Sequence, residues 1–228
     1  MFEKSKCPLD KKLHNFPKYV RRQSLARFLV QYELFKKQLQ IKGSIIECGV
    51  HNGGGVMAWA KISSMLEPYN YHRHIYGFDT FSGFPSTNEK DGHANPLSKV
   101  GSFSENDYDP YEEMKMVIES YDENRFINHI QKVFLIKGDA NITIPKFVSE
   151  TNHLLVSLLY LDFDIYEPTV TALKHFLPRM PKGAIIAFDE VNNSDWPGET
   201  IALLENFQIN NYKLACFDFE PNISYIQL

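Results

Sequence analysis

The chain has 228 residues, 43% hydrophobic and 23% charged. That is the balance of one ordinary globular domain able to bury a core without disulfide or metal staples. Its 24 basic and 28 acidic residues give a net charge of −4, which argues against a general electrostatic hold on nucleic acid or an anionic membrane surface. No apolar run approaches the roughly 18 residues needed to span a bilayer. The opening segment Met1–Lys6 lacks the apolar stretch of a secretory signal. Cys7, Cys48 and Cys216 cannot all pair within one chain, so the setting reads as reducing and cytoplasmic.

In chain order, Leu25, Phe28, Leu29, Tyr32, Phe35 and Leu39 recur at helical spacing and predict a helix over 17–40, ended by Gly43. A short buried strand follows at 44–48, then a glycine turn, Gly49 to Gly55, and a helix over 56–66. The next strand is 74–79, followed by an irregular polar stretch over 80–109. A loop of that length is functional or disordered, and residues 83–108 are expected to act as a lid. A helix is predicted over 110–121 and a strand over 132–136. The near-continuous apolar run 154–161 fits a central strand covered on both faces. A helix over 168–178, a buried strand over 183–188, a helix over 198–208 and closing strands near 212–217 and 223–228 complete the chain. Strand–helix alternation predicts a doubly wound, mostly parallel α/β sheet forming one domain over 44–228, with a helical appendage over 1–43.

In such sheets ligands bind beyond the carboxyl ends of the strands. Glu47 and Gly49, Asp79, Asp139, Asp162 and Asp164, and Asp189 with Glu190 all fall at those ends. Solubility alone would scatter acids over helix faces. The glycine turn lets backbone approach a ligand closely, and a carboxylate at Asp79 can accept from a ribose diol. An adenosine-containing cofactor follows. Tyr111 and Lys115 with Ser98 imitate the short-chain dehydrogenase pattern. They lie too early relative to the strand order, and an exposed amphipathic helix explains them. Acids at Glu47, Asp139 and Asp162 suit a cationic sulfonium and repel a pyrophosphate.

The segments Ile45–Val50 with Gly53–Gly55, Tyr76–Pro85, Leu161–Thr169, Phe188–Glu190 and Trp196–Thr200 resemble the macrocin O-methyltransferase (TylF-type) family of class I S-adenosylmethionine-dependent methyltransferases. Within it they are most similar to the dTDP-6-deoxy-L-hexose 3-O-methyltransferase branch. The resemblance implies a Rossmann-like seven-stranded sheet with a reversed final hairpin, and a homo-oligomer. It implies a cofactor site at Glu47, Gly49, Val50 and Gly53 (methionine part), Asp79, Thr80 and Phe81 (ribose side), Asp139 and Ala140 (adenine) and Asp162. It also implies Mg²⁺ or another divalent cation on Asp162, Asp189 and Glu190. Family members carry Asp-Asp where this chain has Asp189-Glu190, which alters the reach of the second acid.

The expected reaction is O-methylation of a sugar hydroxyl, with the sugar linked to a nucleotide. Alternatives are a sugar already on a natural product or surface glycan, and a non-catalytic protein that binds the cofactor or a sugar nucleotide. Asp162 is the first choice as proton acceptor and Asp164 the substitute; His51 reads as a turn residue. Phe81, Phe84 and Trp196 could wall a sugar site or simply pack, and Tyr32 and Glu33 are balanced between cofactor contact and core.

Overall fold

The computed structural model describes residues 2–92 and 95–228. Strands β1 (Ser44–Cys48), β2 (Ile75–Asp79), β3 (Val133–Lys137), β4 (Val156–Leu161), β5 (Ile185–Phe188), β6 (Ala215–Phe217) and β7 (Glu220–Gln227) form a seven-stranded sheet in the order β3-β2-β1-β4-β5-β7-β6. Pairing is parallel from β3 to β5, and β7 runs antiparallel to both neighbours. The predicted hairpin edge is therefore present, with β7 inserted beside β5.

The helices are α1 (Leu9–His14), α2 (Arg22–Gln38), α3 (Gly54–Leu66), α4 (Pro110–Glu123), α5 (Ala140–Glu150), α6 (Tyr166–Phe176) and α7 (Pro197–Asn206). Alternation along each strand sends neighbouring side chains to opposite faces. Ile45, Leu158, Tyr160 and Ile185 join Val30, Leu34 and Phe35 of α2 and Val56, Trp59 and Ile62 of α3 in one core layer. Ile46, Leu159, Leu161 and Ile186 join Ile144 of α5, Phe176 of α6 and Leu203 of α7 in the other. The predicted helix 17–40 is shorter, Arg22–Gln38, and a single 3-10 turn, Phe16–Lys18, precedes it.

Helices α1 and α5 have no counterpart in the sequence reading. In α5, Asn141, Thr143 and two isoleucines are weak helix formers, and Pro145 sits inside. Its start is nonetheless capped by the Asp139 side chain, which accepts from the Asn141 N–H at 2.8 Å. Burial of Ile144 and Val148 against the sheet holds the rest.

Strand register positions the site. Cys48 pairs with both Phe78 and Leu161, and Leu161 with Phe188. The residues that follow, Gly49, Asp79, Asp162 and Asp189, are thereby brought to one edge of the sheet.

Candidate active site

Strand order reverses between β1 and β4, where an open α/β sheet leaves a crevice. A cavity of about 580 Å³ opens there, within the range of small-molecule sites. Its lining includes Glu47, Gly49, Val50, Asp79, Thr80, Phe81, Asp139, Ala140, Asp162 and Asp164. Gly49 has φ +91°, and a Cβ there would lie 1.9 Å from the Asp162 carbonyl oxygen, so only glycine fits between these strand ends. A Cβ on Gly55 would lie 2.4 Å from Glu47 Oε1. The bare turn lets α3 descend onto that carboxylate, and Trp59 Nε1 donates to Glu47 Oε2 at 2.5 Å. Burial pushes the Glu47 carboxyl up to about 8, although the Trp59 hydrogen bond and the Arg27 charge oppose it.

Asp79 holds the glycine turn. Its Oδ2 accepts from the backbone N–H groups of Val50 at 2.7 Å and His51 at 2.8 Å, and its Oδ1 from Phe81 N–H at 2.7 Å. A carboxylate offers about four acceptor positions, so this one is largely committed to backbone. Phe81, itself left-handed at φ +55°, turns the chain into the polar loop with its ring 5.2 Å from Tyr111. That loop folds over the cavity. Phe84 and Phe103 line it, and Trp196 backs both rings at 6.0 Å. The Asp91 side chain fastens the loop to the start of α6, accepting from Tyr166 N–H at 2.5 Å. Glu105 and Tyr108 tie it to Asn52 in the glycine turn.

One end of the cavity is acidic: Asp162 and Asp164 line it, while Asp189 and Glu190 are not among the lining residues. A single nitrogen of Arg27, Nη2, lies 2.6 Å from Asp162 Oδ2 and 2.6 Å from Asp189 Oδ1. The Tyr160 hydroxyl donates to the same Asp189 oxygen at 2.9 Å. Glu190 accepts instead from Asn193, and its backbone N–H donates to Glu199 at 3.1 Å. Burial, then Asp189, push Asp162 above the usual carboxylate range, while Arg27 pulls it down. Burial, then the neighbouring acids Asp189 and Glu190, raise Asp164 to about 7. Asp164 sits at φ +62°, a conformation Asp tolerates better than most residues. Burial raises Glu199 well above the usual range too, and its Oε1 has no hydrogen-bond partner.

Hard carboxylate oxygens are the right donors for Mg²⁺, yet the arrangement does not fit a three-acid metal cage. Arg27 already stands where Asp162 and Asp189 converge, and Glu190 is turned to Asn193. Among the described residues no cluster of three or more His, Cys, Asp or Glu is placed to hold a metal. The glycine turn does fit a cofactor without phosphates. Arg27 is the one Lys or Arg among the described lining residues, and it is engaged by acids.

Sequence reasoning missed Arg27, Gln31 and Tyr160, which all line the cavity. The signal was a polar stripe, Ser24, Arg27 and Gln31, at helical spacing within an otherwise apolar helix face. Tyr32, Glu33, Ser98, Tyr111 and Lys115 are not among the lining residues. Glu33 instead pairs with Lys36 and Lys115 with Glu112.

The family model described as Macrocin-O-methyltransferase (TylF) matches residues 22–211. Among solved structures, CalS11, a calicheamicin methyltransferase, superposes with a TM-score of 0.94 at 32% identity, over 99% of this chain and 87% of that one. The apo form of CalS11, described as a TDP-rhamnose 3'-O-methyltransferase, an enzyme in calicheamicin biosynthesis, gives 0.84 at 29% identity, over 99% and 88%. The O-methyltransferase NovP gives 0.65 at 21% identity, over 89% and 79%, a likeness of fold alone. No curated protein sequence matches.

Proposed function

The chain belongs to the macrocin O-methyltransferase (TylF) family, and from that premise we propose that it transfers a methyl group from S-adenosylmethionine to a hydroxyl of a nucleotide-linked deoxysugar. The observation that carries this reading is the cavity itself. It joins a glycine turn stripped of positive charge to an acidic end where Asp164 carries a raised pKa and no described hydrogen bond to its carboxylate. The reported activity of CalS11 on TDP-rhamnose supports the acceptor class.

S-adenosylmethionine supplies, when bound, a methyl group on a cationic sulfur. Glu47 would meet its amino group once ionised, Asp79 and the backbone it organises would frame the ribose, and Asp139 and Ala140 would border the adenine. Methyl transfer is an in-line displacement, so the chain's main contribution is alignment of the acceptor oxygen. As the new C–O bond forms, the hydroxyl proton must leave. Asp162 is held by Arg27, so Asp164 is assigned as the proton acceptor, with Asp162 and Tyr160 shaping the floor beneath the acceptor.

Among the described residues no helix is long and apolar enough to cross a membrane. A cytoplasmic setting is part of the reading, supported by three unpaired cysteines, as is a homo-oligomer, carried over from the family resemblance. The test is transfer of isotopically labelled methyl from the cofactor to a panel of dTDP-deoxysugars. Label in at least one 6-deoxyhexose is expected. A protein that binds the cofactor and labels no member of the panel overturns the acceptor assignment, and label only in glycosylated natural products moves it to those.

A further inference from the structure

The acid end of the cavity brings its own cation. Asp162 and Asp189 arrive from adjacent strands, β4 and β5, and face each other across one point. Two carboxylates so placed repel unless a positive charge lies between them. That charge is Arg27 Nη2, 2.6 Å from an oxygen of each acid. It comes from a different layer of the molecule, α2, through a side chain whose relative exposure is 44%. A small divalent cation seated between these two oxygens would lie about 2.0–2.1 Å from each, so at that point guanidinium and metal exclude each other. Arg27 is tethered at high effective concentration and is always charged. It also keeps its partners occupied, with Tyr160 fixing Asp189 from behind.

We propose that Arg27 is the resident cation of this acid pair and that a divalent cation binds there only by expelling its guanidinium. Arg27 thereby sets a weak metal affinity. It is a positioning residue that holds Asp162 and Asp189 in place while no metal is bound. The inference rests on the function proposed above only in taking Asp162 as part of the acceptor end of the cavity, and its test needs no turnover.

The probe is Mn²⁺, titrated into metal-free protein and read by the electron paramagnetic resonance signal of the free ion. Arg27→Gln is expected to bind Mn²⁺ at least tenfold more tightly than wild type. Arg27→Lys, whose shorter side chain brings its ammonium less fully to the position of Nη2, is expected to fall between them. Adding Asp189→Asn to Arg27→Gln should abolish the gain and locate it at the pair. Arg22→Gln, an exposed change at the start of the same helix, should bind as wild type does. A merely structural role for Arg27 predicts lost affinity, not gained affinity. Unchanged or weaker binding in Arg27→Gln overturns the proposal, as does an equal gain in Arg22→Gln. If Arg27→Gln does not fold, an Arg27→Lys affinity equal to wild type overturns it as well. Absence of methyl transfer to any sugar would leave these binding outcomes intact.

Discussion

Glu47 shows how one buried carboxyl ties binding to pH. Burial beneath α3 raises its pKa to about 8, so in the ligand-free protein at neutral pH it is mostly protonated. A cationic amino group selects the ionised form. Cofactor affinity should therefore fall as pH drops below about 8, by up to roughly tenfold per unit. Glu47→Gln should bind the cofactor more weakly and with a flatter pH profile, as measured by calorimetric titration from pH 6 to 9. A profile in the variant as steep as wild type would remove Glu47 from the site. Asp164 carries a second expectation at this scale. Asp164→Asn should lower kcat by about 10²- to 10⁴-fold with cofactor affinity nearly unchanged, and wild-type turnover in the variant would return the proton-acceptor role to Asp162. The site was legible in sequence where acids stand at strand ends: Glu47, Asp79, Asp139, Asp162 and Asp164 line the cavity, whereas Asp189 and Glu190 are not among its lining residues. Asp79 shows what spacing cannot report, because its Oδ2 is spent on backbone N–H groups 28 and 29 residues away. Arg27 was hidden for the same reason. Its partner lies 135 residues further along the chain, and nothing local marks the pairing.

At the scale of elements, the described part of the loop after β2 packs as a cover on the cavity. Phe84 and Phe103 meet at 5.3 Å, and Trp196 from the segment before α7 packs edge-on to Phe84 and tilted against Phe103. Asp91 is almost fully buried, and Gly198 has no room for a side chain: its Cβ would lie 2.7 Å from Tyr166 N and 2.8 Å from Asp91 Oδ1. Loop, α6 and α7 thus meet at one joint. Hydrogen exchange over the described part of 83–108 should slow when cofactor and acceptor are added together. Unchanged exchange would sink the lid. Trp196→Ala should raise the acceptor KM several-fold and leave cofactor affinity within about twofold, because the ring backs the loop and does not line the cavity. The loop's extent is legible in its polar composition, but its aromatic packing is not, since aromatic clusters that close in space have no period in the chain. It also lost α5, where weak formers and Pro145 mask a helix held by its cap and by burial. Strands read more reliably because continuous apolar runs such as Leu158–Leu161 have few other uses.

At the scale of the whole molecule, the sheet edge that gathers acids for function does so at a cost in stability. In the ligand-free protein, Glu47 has a folded pKa of about 8 and Asp164 of about 7, against about 4 in an unfolded chain. Between those values the folded state holds protons that the unfolded state has released. Stability must then fall as pH rises through the window, by at most about 1.4 kcal/mol per pH unit for each such group. Burial raises Glu199 and Asp162 in the same direction. Lys132 acts with the opposite sign over a different window. Burial lowers it to about 8, so between about 8 and 10.4 the unfolded chain holds the extra proton and stability recovers. The ligand-free protein should therefore melt highest near pH 5, lose melting temperature steadily to about pH 8, and level or turn beyond it. Glu47→Gln, which cannot ionise, should flatten the descent between pH 5 and 8. Saturating cofactor should flatten it too, because a cation seated on Glu47 restores the ionised form to favour. A melting temperature that rises from pH 5.5 to 7.5 in the free protein would show these carboxylates already ionised and satisfied. The edge would then lack the unmet negative charge on which recognition of a cationic cofactor depends.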